Sequence, residues 1–370
     1  MSLFVGGLLS LLFYILPVLP SVTSIQSSWL LIGYKMDNIP KPFPLLRLPR
    51  LVLDEVFIMM RPFELINFSM ASLKSKIVMK CFLRTKGNLK YSIEVNTHEE
   101  PKVSIVISKA FFDQRMTSER EKHKKEEYIV TRDGFTADRV WIYSENLISD
   151  WMKLFQTVSE LFNFKRRVVF FRPDTFPDQN KSIIDFIKCQ MPIINTCSVN
   201  GEKELDDDVE YFLENVDVTE SVELHSRLTN KFQLKIDKPL ENISIDFGDW
   251  LNYNQFIQFK SCKIALKKSI ISNLELNTFL LSWMSMDSHQ QLERLRIPVN
   301  DPESLDVILN LPHEVNNVDV IRHGRTARNE VFRRRGGIDI KRNDGLTGTI
   351  YFKTDGDQLM LNMIVFVSFV

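Results

Sequence analysis

Along residues 48–82, LPRLVLDEVFIMMRPFELINFSMASLKSKIVMKCF, apolar side chains return every three or four positions, the spacing of one helix face. Pro49 stands where a helix can open, since its missing N–H costs nothing there, and Val52, Val56, Phe57 and Met60 then form a stripe about three turns long. Arg61-Pro62 breaks that helix because a residue before proline is pushed out of helical geometry, and Pro62 opens a second one carrying Leu65, Ile66 and Ser69. Ser72 caps a third, with Leu73, Ile77 and Cys81 expected on its apolar face and Lys74, Lys76 and Lys80 in solvent. A bundle of roughly 35 residues cannot bury enough surface to hold itself together well. The apolar surplus, to which Leu45, Leu46 and Leu51 add, is therefore either a docking surface or the edge of a larger core.

The period then changes from helical to alternating. YSIEV and VSIVI, separated by NTHEEP, predict a hairpin between residues 89 and 108, and another short strand is expected at Glu126 to Thr131. The mixed-sign run RMTSEREKHKKEE, residues 115–127, reads as a solvated loop or helix face. From about residue 138 short β-rich pieces recur at VWIY, VVFF, TCSV, SVEL, NISID, KIAL and RLRI, with amphipathic helical stretches between them. Leu240, Ile243, Ile245 and Leu292, Leu295, Ile297 fit L-x-x-L-x-L, with Ile194, Cys197, Val199 a weaker copy. The asparagine expected three places later is present at Asn300 but replaced by Glu202 and Gly248. Such a pattern turns alternate side chains inward and lets successive units share one core through parallel strands. A plain α/β sheet domain is the other reading. At the end, Asn343-Asp344-Gly345 and Thr354-Asp355-Gly356 are turn sequences joining three strands into a meander expected to close the last sheet edge.

Four stretches carry a resemblance. FPLLRLPRLVLDEVF followed by ELINFSMASLKSK resembles an F-box of the large nematode F-box family. SNLELNTFLLSWMSMDSHQQLERLRI and GIDIKRNDGLTGTIYF resemble the F-box-associated type 2 domain that follows it there. The resemblance implies that Leu48, Pro49, Leu53, Val56, Phe57, Leu65, Ile66 and Ser69 bind the Skp-type adaptor of a cullin ubiquitin ligase. It also implies a downstream domain that recruits substrates and has no catalytic residues. The sequence departs from the F-box pattern at Asp54-Glu55 and Met59-Met60, and it lacks an aromatic near Lys74 to Lys76.

The fold expected is thus a three-helix F-box at 42–86, a β-rich connector at 87–137, an irregular leucine-rich-repeat-like α/β domain at 138–340 and a β-meander at 336–370. The first 35 residues complicate this: Leu3 to Leu19 is almost wholly apolar, with Val22-Thr23-Ser24 a passable cleavage site but no basic n-region. A signal sequence, a short anchor or an extension ahead of a start at Met36 are the three readings, and Met36 fits an adaptor-binding module best.

Charge narrows the partners without naming one. Across 370 residues, 47 basic side chains balance 47 acidic ones, which leaves no global field for nucleic acid. Cys81, Cys189, Cys197 and Cys262 form no C-x-x-C pair and read as reduced thiols of a cytosolic or nuclear protein. Six arginines between Arg322 and Arg335 could meet an acidic or phosphorylated ligand, although a solvated loop fits them without one. The six histidines make no metal-ligand pair, His289 reads as capping or surface, and the acidic run at 202–210 suits the start of a helix rather than a calcium loop. The sequence therefore reads as a non-enzymatic substrate adaptor without metal or cofactor. The competing reading is a secreted or membrane-tethered repeat-type binding protein. Glycans at Asn180-Lys181-Ser182 or Asn242-Ile243-Ser244 would mark that alternative.

Overall fold

The computed structural model describes residues 45–85, 90–236, 238–319 and 321–369, so the apolar leader at 1–35 and the start at Met36 lie outside the described residues. The chain falls into two compact units, one ending at Met60 and one running from Arg61 onward. The boundary divides the three helices expected to form one module.

In the first unit, helix α1 spans Arg50–Met59 behind Pro49, whose carbonyl accepts the Leu53 N–H at 3.0 Å. In the second, α2 (Pro62–Met70) opens on Pro62, and Arg61 ahead of it is held extended while its N–H donates to Glu64 at 2.7 Å. Helix α3 (Leu73–Thr85) starts where the Ser72 hydroxyl accepts the Ser75 N–H at 3.0 Å. Its buried stripe is Ser75, Met79 and Phe82, whereas Leu73, Ile77 and Cys81 face solvent. This reverses the expected facing. Met79 and Phe82 give the helix a bulkier inner edge, and Lys76 reaches sideways to Glu160 at 2.6 Å. An Arg61–Asp138 pair at 2.8 Å fixes the start of α2.

The rest of the second unit is built on one sheet. Its strands and helices follow in the order β1 (Tyr91–Asn96), β2 (Lys102–Ile107), β3 (Ala110–Thr117), β4 (Glu126–Val130), β5 (Thr136–Tyr143), α4 (Leu147–Leu161), β6 (Arg166–Phe171), α5 (Asn180–Gln190), β7 (Ile193–Gly201), α6 (Asp206–Asn215) and β8 (Asp217–Ser226). After an irregular stretch come β9 (Asn242–Ile245), α7 (Tyr253–Phe256), β10 (Lys263–Leu266), α8 (Asn273–Met284), β11 (Arg294–Pro298), α9 (Leu305–Ile308) and β12 (Glu314–Val315). The chain closes with β13 (Ile321–Arg325), β14 (Val331–Arg335), β15 (Ile338–Lys341), β16 (Thr347–Asp355), β17 (Gln358–Phe366) and β18 (Ser368–Phe369).

Fifteen of these strands pair in the order 12-15-16-17-11-10-9-8-7-6-1-2-3-5-4. Every neighbour from β1 through β6 to β11 is parallel, and each strand from β6 to β10 lies beside the next in sequence. This mixed α/β architecture spans the expected connector, repeat region and meander in one continuous sheet. The meander closes on β11 through β17, and its turns place Gly345 and Gly356 at φ +91° and +59°, where a glycine is favoured.

The alternating pattern fixes what the sheet buries. Val95, Val169, Cys197, Val222, Ile243, Ile264 and Leu295 are register partners across seven parallel strands, and all are sealed inside. Phe171, Val199, Leu224, Ile245 and Leu266 make a second such row. Trp151 and Phe155 of α4, Ile183 of α5, Phe212 of α6 and Phe279 of α8 belong to the same core. Each strand thus contributes a few residues to a core none could close alone.

Within the second unit, backbone spacing between successive strand–helix segments is set by particular side chains. Asn300, the one expected asparagine present, donates to the Ile271 carbonyl at 2.7 Å. At Gly248 a Cβ would collide with the Lys268 carbonyl, so the replacement admits close backbone approach. His289 is not on the surface: it lies buried against Phe256 and Phe279, with ring centroids 5.4 and 5.0 Å away. The arginine-rich segment is not a loop either, because β13 and β14 pair as a hairpin that joins β18 in a second, three-stranded sheet.

Candidate protein-binding surfaces

The expected adaptor contacts divide by exposure. Leu53, Val56 and Phe57 of α1 and Leu65, Ile66 and Ser69 of α2 are buried, Leu48 is half-buried and Pro49 is exposed. Ile66 belongs to the main core, and the Ser69 hydroxyl donates to the Ile66 carbonyl at 2.7 Å. These buried side chains shape their helices from within. The apolar surplus in solvent is a different set: Leu51 (80% exposed), Val52, Ile58 and Met59 on α1, and Met70, Leu73 (76%) and Ile77 on α2 and α3. Helical spacing alone could not separate the two sets, because apolar residues occupy nearly every direction around α1.

The second candidate is the polar side of the sheet, on which Asn242, Lys263, Arg294 and Arg296 are half-buried and Thr196, Ser198 and Ser221 are buried. Thr196, Ser221, Asn242, Lys263 and Arg294 are register partners on successive parallel strands, one residue offset from the buried row. Beside them run Ser198, Glu223, Ser244, Ala265 and Arg296. The side chains grow from small and neutral at β7 to long and cationic at β11. No helix residue interrupts this alternation, because every helix between β5 and β11 packs its apolar stripe into the core.

The hairpin β13–β14 is anchored to the cationic end of that face. Glu330 pairs with Lys263 at 2.9 Å and also with Arg294, while Arg328 pairs with Glu241 at 2.6 Å and lies 3.5 Å from Glu293. Arg294 stacks its guanidinium 4.2 Å from the Phe332 ring centre. Lys263 holds the Glu330 carboxyl below its ordinary range, whereas burial pushes Glu293 up. A cavity of about 250 Å³ opens here, lined by Asn242, Lys263, Arg294, Arg296, Phe332 and Tyr351. Farther along the face, His225 donates toward Glu223 and meets Asp246 at 2.9 Å, and the Glu223 contact raises its pKa. These are ion-pair networks, in which Arg328 also donates to the buried Cys262 thiol at 3.3 Å, and their dispersed polar groups suit contact with a polypeptide by polar complementarity.

The amides that tie neighbouring strand–helix segments together gave no sequence signal. Asn273 donates to the Asp301 and Ser304 carbonyls at 2.8 and 2.9 Å, and Asn277 to those of Ile308 and Asn310 at 3.0 and 3.1 Å. In the sequence they are two polar residues in an amphipathic helix. Only their burial, which obliges them to find partners, distinguishes them.

One comparison with known proteins speaks to this region. Residues 231–297 match the family described as F-box associated. The match covers β9, α7, β10, α8 and most of β11, which places it on the strands whose outer side chains hold the hairpin. Comparison with curated proteins and with solved structures gave no match. Among the described residues no helix is long and apolar enough to cross a membrane.

Proposed function

We propose that this chain is a substrate-recruiting subunit of a cullin-type ubiquitin ligase, whose N-terminal helices bind a Skp-type adaptor and whose polar sheet face holds a target protein. The observation that carries the proposal is the F-box-associated match at 231–297. The solvent-facing Leu51, Ile58, Leu73 and Ile77 support it, because large apolar side chains on short helices gain most by being covered. In this reading the chain performs no chemistry and needs no cofactor. It raises the local concentration of target lysines near the ligase's charged partner.

The test is a pull-down of purified full-length chain against a Skp-type adaptor and its cullin. Substitutions at Leu53 or Val56 would confuse lost binding with lost folding, since both are buried. Leu51→Asp with Ile58→Asp, and separately Leu73→Asp with Ile77→Asp, place the charge in solvent instead. Retention of the adaptor by the parent and its loss from either folded variant supports the proposal; no retention by the parent overturns it.

The alternative is a secreted or membrane-tethered binding protein, favoured by the apolar run Leu3 to Leu19. Of its two marker sites, Asn180 is buried and donates to the Pro173 carbonyl and Asp208 at 2.9 and 2.7 Å, so a glycan there is incompatible with this fold. Asn242 is the remaining reporter, and a glycan on it in native material would favour the alternative.

A further inference from the structure

The hairpin β13–β14 sorts its arginines onto two sides. Register pairs His323 with Arg333, Ile321 with Arg335, and Arg325 with Val331, so these residues share one side. On the other side Arg322 grips Asp339 through two contacts of 2.6 and 3.1 Å, and Phe332 lies under Arg294. Near the turn Arg328 is taken up by Glu241. His323, Arg325, Arg333 and Arg335 are exposed, and none makes an ion pair among the described residues. Arg325 is steadied by the Asn329 side chain at 3.2 Å.

The geometry points to this outward side as a docking surface for an extended acidic segment of a partner protein, recognised through its carboxylates. Alternate residues on one strand lie about 7 Å apart, so Arg333 and Arg335 present guanidiniums at the repeat of every second residue of an extended peptide. Arg325 and His323 flank them from the neighbouring strand. Each guanidinium can take a carboxylate with two parallel N–H donors. The cations are spread along a ridge rather than converging on one pocket, which suits spaced carboxylates better than a single phosphate. Among the described residues no Phe, Tyr or Trp shares this side, His323 being its one ring, and the balanced 47 to 47 charge offers no long-range pull on a nucleic acid. The platform is stiff because Gly324 packs directly on Phe366, where any Cβ would overlap the ring.

This inference names the chemistry of the target and in that sense rests on the proposed function, yet its test involves no ligase component. Fluorescence anisotropy would measure full-length chain against a labelled Glu-Ser repeat peptide, with a Gln-Ser repeat as the neutral control. The parent should bind the acidic peptide and not the neutral one. Arg333→Gln with Arg335→Gln should weaken binding about tenfold or more, the loss of two exposed charge-assisted contacts. An unchanged thermal midpoint would show that the variant keeps its fold. Equal binding by parent and variant overturns the inference. So does tighter binding of a peptide with one phosphoserine and no glutamate, or of oligothymidylate. Adaptor capture that fails while the acidic peptide binds would sink the ligase reading and leave this surface standing.

Discussion

Between β6 and β11 the side chains at alternate strand positions, such as Val169, Cys197, Val222, Ile243 and Ile264, are sealed, whereas the helices within residues 50–85 leave Leu51, Ile58, Leu73 and Ile77 in solvent. The two regions have similar raw material. What differs is the number of neighbours each element has. A central strand of the ladder has a strand on either side and a helix layer over its inner face, so every inward residue meets partners. A short helix with one packed stripe has directions left over, and in α1 and α3 some of those directions are apolar. Burial in the ladder is therefore structural, and exposure on the helices is available for binding.

The largest effect should come from the middle of the buried row. Ile243 is fully buried between Val222 and Ile264, and Ile243→Ala would remove its outer carbons from a site walled by two strands. The expected loss is about 3–4 kcal/mol, read as a lower urea midpoint at unchanged slope. A loss below about 1 kcal/mol would show that the row collapses around the gap, and the contrast with the helices would lose its basis.

The next effect depends on pH. Burial between Phe256 and Phe279 lowers the His289 pKa to about 4. The folded state holds the ring neutral while the unfolded chain protonates near pH 6.5, so stability is complete above that value and falls as pH drops toward 4. The fall should approach about 3 kcal/mol at the acid end. His289→Asn keeps a residue type that tolerates the φ of +49° found here, and it cannot titrate. Its acid limb should be flatter than the parent's when urea midpoints are followed from pH 7 to 4. An identical acid limb would mean that the aromatic cage opens to water before the ring is charged.

How much of this was legible depended on whether a residue's partners are near it in sequence. The β1–β2 hairpin and the strands read at VVFF, TCSV, NISID and KIAL follow from local patterns, and each is present, the NISID strand ending at Ile245. Cys197 and Val199, a weak copy of the repeat pattern, are as buried as the stronger copies because the register extends the row through them. The hairpin β13–β14 was hidden because Arg322, Arg325 and the run Arg333-Arg334-Arg335 break the apolar–polar alternation of a strand, which resembles a solvated segment until Glu241, Glu293 and Asp339 are brought from elsewhere. The facing of α3 was misread for a related reason. Leu73, Ile77 and Cys81 make a good stripe by spacing, but the choice of buried stripe lay with the surface that meets it, and that surface took Met79 and Phe82.

The smallest expected effect tests the other half of the comparison. Leu73 and Ile77 stand one turn apart on α3, 76% and 55% exposed, and nothing among the described residues covers them. If they serve binding alone, Leu73→Ser with Ile77→Ser should leave the urea midpoint within about 0.5 kcal/mol of the parent, because surface substitutions remove little buried area. The same change should raise solubility, since the apolar patch that favours self-association is gone. Sedimentation at high concentration would detect that gain. A loss of 2 kcal/mol or so would place both side chains inside a packed interface, and the distinction between sealed ladder and open helices would then have to be redrawn.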